Sequence, residues 1–194
     1  MESTAAYIIE TIAPIFNKKG YIGTSLSDLT KATNLTKGAL YCNFENKEAL
    51  AIASFRYNIK KVFTPLYSIL KKEKSSVSKL YALTNYYRTY YQVALARGGC
   101  PMLNVGVDAE HNNNTLYKIA KKESEKLCLG LETIIQRGID CNEIKKSIDA
   151  TKYAMNIYAM IEGAIFMSFI QKNDSYLHNM LDHIDEEIVN KIKI

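Results

Sequence analysis

Apolar residues return every three or four positions along most of this chain, and that period predicts helices. Ala6, Ile9, Ile12 and Phe16 share one face of a first helix over 3–19, which Pro14 perturbs and Gly20 ends. Leu26, Leu29 and Ala32 stripe a short second helix, and Leu40 and Phe44 are the inward pair of a third. A long fourth helix is predicted from Asn46 to about Lys72, with Leu50, Phe55, Ile59, Val62, Leu66 and Ile69 near helical spacing and Pro65 bending it. Lys71 to Ser78 reads as a polar loop capped at Ser76 or Ser78. A fifth helix runs to about Ala96, where Gly98-Gly99 stops it. Pro101 opens a short helix to about Glu110, and His111 to Asn114 make a polar turn. Helices near 115–137 and 148–170 follow, split at Gly138, and a last one covers about 174–192. The chain is therefore expected to be all-α.

The run from Ser25 to Lys47 carries denser signals. Ser25 and Asp28 have capping-box spacing, in which a hydroxyl and an acid satisfy each other's free N–H groups. Asn34 stands where the second helix must stop and tolerates the left-handed backbone needed there. Thr36 is an N-cap for the third helix, and Asn46 caps the next, with Lys47 and Glu48 in its first turn. Gly38 and Ala39 have almost no side chain, which suits a helix that must approach DNA closely. Two short helices, a tight turn and a third helix start are the layout of a helix-turn-helix DNA reader.

These residues resemble the DNA-binding domain of the TetR family of bacterial transcriptional repressors. The shared pattern includes Phe16, Gly20 and Tyr21, then the Thr24-Ser25 cap pair, the Lys37 to Phe44 core, and Asn46 to Leu50 at the start of a linker helix. It covers about residues 5–55. Asn34 replaces a common Gly, Ala39 stands where many members carry Thr or Ser, and Cys42 fills a variable position. The resemblance implies an N-terminal three-helix helix-turn-helix domain over 1–47, with the linker helix from about 46. A larger helical effector-binding and dimerisation domain over 48–194 follows. It also implies a two-fold dimer on a near-palindromic double-stranded DNA operator, released by a small hydrophobic or aromatic effector.

Charge qualifies that reading. The chain carries a net +5, but residues 1–50 are neutral, 51–100 carry +8 and 101–194 carry −3. DNA affinity must then come from a few placed cations and helix N-termini rather than a uniform field. Thr24, Ser25, Thr36, Tyr41 and Lys47 are expected on phosphates, with packing on the linker helix as the alternative for the Tyr41 ring. Lys37 and Asn43 are expected at base edges, with Gly38 allowing close approach and Ala39 touching a thymine methyl.

For the effector, Phe63, Tyr67, Tyr86, Tyr87, Tyr90, Tyr91, Met102, Leu103, Tyr158 and Phe166 are the candidate pocket residues. Ordinary core packing is the alternative for any one of them. By the resemblance, 115–137 and 148–170 supply the dimer interface, with Leu127, Leu131, Ile134, Ala159, Gly163 and Met167 as candidates. Residues 153–170 hold one charge, Glu162, and are long enough to span a membrane. Asn156 and Glu162 near the centre favour burial in a bundle instead.

No metal or cofactor is expected. The three His have no ligand framework, and Asp108, Glu110 and His111 read as a solvated turn. No phosphate loop or catalytic constellation appears, so an enzyme is not expected. Cys42, Cys100, Cys128 and Cys141 are scattered, as in reduced cytosolic proteins, and no signal peptide opens the chain; a cytoplasmic location is expected. The alternative function is a helical small-molecule-binding or interaction protein whose helix-turn-helix no longer reads DNA.

Overall fold

A computed structural model describes residues 3–194, and among them every named element is a helix. The elements are α1 (Thr4–Gly23), α2 (Leu26–Thr33), α3 (Lys37–Asn43), α4 (Lys47–Lys72), α5 (Ser76–Arg88), α6 (Tyr90–Ala96), α7 (Pro101–Asn112), α8 (Asn114–Asp140), α9 (Ala150–Gln171) and α10 (Ser175–His183). After α10 the chain continues as a π-helical stretch, Ile184–Val189, and a last turn, Asn190–Ile192. The all-α expectation holds.

The chain divides into two compact units, Met1–Phe63 with Ala94–Lys122, and Thr64–Val93 with Glu123–Ile194. The expected division at 47 and 48 follows the start of the linker helix. The contacts of the folded chain group differently, because residues 94–122 return to α1. Asn17 donates to the carbonyls of Arg97 (2.9 Å) and Gly99 (2.8 Å), and Asn104 donates to the carbonyls of Asn17 and Gly98, both at 2.9 Å. Ile8, Ile12, Phe16, Leu29, Leu40, Leu50 and Phe55 form the core of this first unit. Buried Asn58 donates to the Ala13 carbonyl at 2.9 Å.

Gly20 does more than end α1. Its φ of 71° and ψ of −178° break the helix for one residue, after which helical turns resume to Gly23. That combination is open essentially to glycine alone. The break frees the Tyr21 N–H, which donates to Asp108 Oδ2 of α7 at 2.6 Å. Asp108 is thus a structural acceptor, while Glu110 and His111 are exposed.

In the second unit, Leu80, Leu83, Leu131, Ile135, Ile157, Ile161, Ile165, Leu177 and Leu181 build the core. The predicted fifth helix is split at Thr89 into α5 and α6. Its cap is Ser75, whose hydroxyl accepts from Ser78 N–H at 3.0 Å, rather than Ser76 or Ser78. Gly138 does not stop α8, which runs on to Asp140 and yields to the left-handed Asn142 (φ 57°). A side chain at 138 would lie 2.6 Å from Ile144 Cδ1 and 2.9 Å from Ser76 Cβ, so glycine here buys close approach. Likewise the polar turn expected at 111–114 shrinks to Asn113, whose side chain accepts from Leu116 N–H at 2.8 Å and starts α8.

α9 is long and apolar enough, by length and composition, to cross a membrane. It buries Ala154, Ile157, Ile161 and Ile165, while Met155, Ala159, Gly163, Phe166 and Ile170 are exposed. α5 is tied to α10 and to the π-helical stretch after it by Arg88, which contacts Asp182 at 2.7 Å and Asp185 at 2.9 Å. These carboxylates hold the guanidinium protonated more firmly, against the opposing effect of burial.

Candidate nucleic-acid interface

The helix-turn-helix is assembled by its own caps. Ser25 Oγ accepts from Asp28 N–H at 3.1 Å, and the Asp28 carboxylate accepts from Ser25 N–H at 2.9 Å, which is the reciprocal box its spacing predicts. Lys19 also reaches Asp28, at 2.6 Å. The Lys19 bond, then the Ser25 bonds, hold the Asp28 carboxyl well below its ordinary range. Asn34 turns the chain with φ 55°, ψ 30°. Thr36 Oγ1 then accepts from Ala39 N–H at 3.1 Å to start α3, and Asn46 Oδ1 accepts from Ala49 N–H at 2.9 Å to start α4. Leu29 and Leu40 are fully buried and fix α2 and α3 to the core.

This scaffold leaves one side of α3 to solvent. Thr36, Lys37, Gly38 and Asn43 are exposed, and Ala39 is half-buried. The Lys37 ammonium lies 6.0 Å from the centroid of the half-buried Tyr41 ring, and Lys47 lies 4.7 Å over the Tyr21 ring. Both cations are therefore held against aromatic faces at the edge of the motif. Asn43 Nδ2 donates back to the Ala39 carbonyl at 3.0 Å, so its amide must turn outward before it can meet a base.

Thr24 needs correction. It is fully buried and its hydroxyl donates to the Gly20 carbonyl at 2.7 Å, so it braces the broken end of α1 instead of facing a phosphate. Two other features escaped the sequence reading: the Lys47–Tyr21 stack and the Lys19–Asp28 pair. Both join elements whose relative placement no local periodicity encodes.

The ten pocket candidates are divided between the two units. Phe63, Met102 and Leu103 belong to the first unit, and the other seven to the second. Tyr87, Tyr90 and Tyr91 are buried. Tyr87 packs on Tyr86 (5.5 Å) and on Tyr90 (5.3 Å), and Tyr91 packs on Phe169 (5.1 Å), so each of these buried rings has an aromatic neighbour. Phe166 is 50% exposed on the outer side of α9. Tyr158 accepts from Ser124 Oγ at 3.2 Å and bonds Glu162, whose Oε2 is buried without a hydrogen-bond partner. Burial pushes the Glu162 carboxyl up to about 7, against the lowering effect of Tyr158.

Tyr67 lines an open-sided cavity of about 150 Å³ in the second unit, with Leu66, Leu70, Leu83, Lys126, Leu127, Gly130, Leu131 and Ile134. Leu127, Leu131 and Ile134, expected at the dimer interface, line that same cavity. Ala159 and Gly163 are exposed, and Met167 is half-buried. Among the described residues no group of His, Cys, Asp and Glu has metal-binding proximity. Burial, with Glu132 adding to it, pushes the Cys128 thiol up and keeps it protonated.

Residues 8–53 match the sequence profile of bacterial regulatory proteins of the tetR family, and residues 76–184 match that of the tetracyclin repressor-like C-terminal domain. A crystal structure of a TetR-family transcriptional regulator from Cytophaga hutchinsonii is 38% identical. The match has a TM-score of 0.89 and covers 98% of this chain and 95% of that one. The HTH-type transcriptional repressor DhaR of Mycobacterium sp. (strain GP1) is 24% identical over 94% of this chain and 91% of its own length. The HTH-type regulator YuxN of Bacillus subtilis (strain 168) is 27% identical over 73% of this chain, and the match spans 55% of YuxN.

Proposed function

Because this chain belongs to the TetR family of DNA-binding transcriptional regulators, we propose that it is a cytoplasmic repressor. In this reading it binds a near-palindromic operator as a homodimer and leaves it when a small apolar effector binds. The observation that carries the reading is the solvent-facing side of α3. Thr36, Lys37, Gly38 and Asn43 stand there on a scaffold closed by three side-chain caps.

Lys37 and an outward-turned Asn43 would read base edges, the Ala39 methyl would meet a thymine methyl, and Gly38 would admit the helix to the major groove. Ser25, Thr36, Tyr41 and Lys47 would hold phosphates on either side. Lys19 is paired with Asp28, so Lys37 and Lys47 would carry most of the local positive charge.

A reader this small binds weakly alone, and a second copy supplies the other half-site. Support for the dimer lies on α9, where Met155, Ala159, Gly163, Phe166 and Ile170 line one exposed face at steps of three and four. Ala159 and Gly163 would let the partner's helix approach closely, and Phe166 and Ile170 would lose their exposed surface to it.

The test is a fluorescence-anisotropy titration of the full chain with DNA from upstream of its own gene, at physiological salt. Saturable binding that survives excess unrelated duplex is expected. Equal affinity for both duplexes would overturn the operator reading in favour of a helix-turn-helix that no longer reads sequence.

A further inference from the structure

We propose that the cavity lined by Leu66, Leu70, Leu83, Leu127, Leu131 and Ile134 binds a single-ring apolar molecule carrying at most one polar group, which enters past Gly130. The binding claim stands on the cavity alone. Its role as the effector site rests on the reading that a small molecule releases this chain from DNA.

Size and chemistry set the class. The floor is dry hydrocarbon: Leu66, Leu83 and Leu131 are at most 5% exposed. A water needs two to four polar partners, and these walls offer none, so an apolar guest does not have to displace a well-held solvent molecule. The volume of about 150 Å³ is of the order that holds one benzene ring in an engineered aliphatic cavity, about 150 Å³. Fused polycycles and long acyl chains would project past its open rim. Polar side chains lie only at the rim, where Tyr67 and Lys126 are exposed and Lys126 pairs with Glu123 at 2.6 Å. Burial, reinforced by Glu123, pushes the Tyr67 phenol up, so it stays protonated at the rim.

Gly130 is the residue that makes this space reachable. It lies inside the 27-residue helix α8, where glycine is a poor helix former. Nothing in the fold demands glycine there, since its φ is not positive and an added Cβ would meet no atom within 4 Å. What its missing side chain does is leave the rim open beside Lys126 and Leu127. Gly138 of the same helix, by contrast, is explained by contact with Ile144 and Ser76.

The experiment is ligand-observed NMR with benzene and with p-cresol, on the wild-type chain, Gly130→Leu and Leu127→Phe. 2-Naphthol serves as the oversized control. Thermal melts of each variant check folding, and Gly130→Leu is expected to melt no lower than wild type. Saturable p-cresol binding that weakens about tenfold or more in both variants, with 2-naphthol excluded, is the expected result. No saturable binding of either ring to wild type overturns the proposal, as does undiminished binding to both folded variants. DNA anisotropy with p-cresol then separates the two claims. Binding by NMR without loss of DNA affinity leaves the site standing and overturns the effector role.

Discussion

Replacing Gly20 by alanine should damage the first unit out of proportion to the single methyl added. At φ 71°, ψ −178° an L side chain is strained, at a cost of about 1–3 kcal/mol. The new Cβ would also sit 2.8 Å from Asp108 Oδ2 and 2.9 Å from Asp108 Cγ. The carboxylate must then retreat from the Tyr21 N–H it accepts at 2.6 Å. A hydrogen bond to a charged group is worth about 1.5–3 kcal/mol, and part of it is lost. Together these give roughly 2–5 kcal/mol, or a fall in Tm of roughly 5–15 °C for a chain of this size. Differential scanning calorimetry measures it, with Asp108→Ala and the double variant completing a cycle. In the double variant the clash is gone, so its loss should be smaller than the two single losses added, by about 1–2 kcal/mol. A Gly20→Ala chain that melts within about 2 °C of wild type would refute the reasoning, given that 1 kcal/mol is worth about 2–4 °C here. Strict additivity would refute the Asp108 half of it.

Glu162 gives a pH prediction. Its folded carboxyl is raised to about 7 from an ordinary value near 4.5, so the folded state holds a proton that the unfolded state has released. Stability should fall as pH rises from about 4.5 to 7 and then level off. Glu162→Gln should remove that slope and add roughly 1–3 kcal/mol at pH 8, read from urea melts across pH; a parallel profile for the two proteins would count against it. Asp28 has the opposite sign: its stabilisation is present above the ordinary carboxylate range and lost as pH falls below it. Ser25→Ala, which opens the capping box, should cost about 1 kcal/mol by thermal melting, and no change would mean that the box is idle. Lys37→Ala should weaken specific DNA binding and flatten the salt dependence by about one unit of slope; an unchanged slope would remove Lys37 from the interface. Phe166→Glu should yield monomers by light scattering, and an unaltered mass would exclude the α9 face as the dimer contact.

Local rules were written plainly in the chain, and long-range ones were not. Ser25, Asp28, Asn34, Thr36 and Asn46 act through neighbours three residues away or through their own backbone, so spacing alone placed them. Thr24 belongs to the same cap pair as Ser25, yet its hydroxyl turns inward because Gly20 breaks α1 and leaves a carbonyl within reach. Periodicity could not show that. The tyrosines of 86–91 read as one helical run, and the break at Thr89 sets them against one another and Phe169. Leu127, Leu131 and Ile134 form a stripe whose neighbours periodicity could not name. A stripe identifies a buried face without saying what buries it, and here that is the lining shared with Leu66 and Leu83. Gly138 and Gly130 look alike in sequence and differ only in what surrounds them.

The lacing of Asn17 and Tyr21 to residues 97–108 has a consequence for synthesis. The bonds join positions 80 to 87 residues apart, and the first unit closes only with Lys122. At about 5–20 residues per second, a ribosome that has finished α4 must work for several more seconds before α1 meets its partners. During that interval the helix-turn-helix has its caps but not its brace. A nascent chain stalled before residue 94 should therefore expose part of α1 to proteases and chaperones, and a gene fragment encoding 1–63 should express as an unstable product. The DNA-reading part of this protein is made before the segment that braces it, and is finished late.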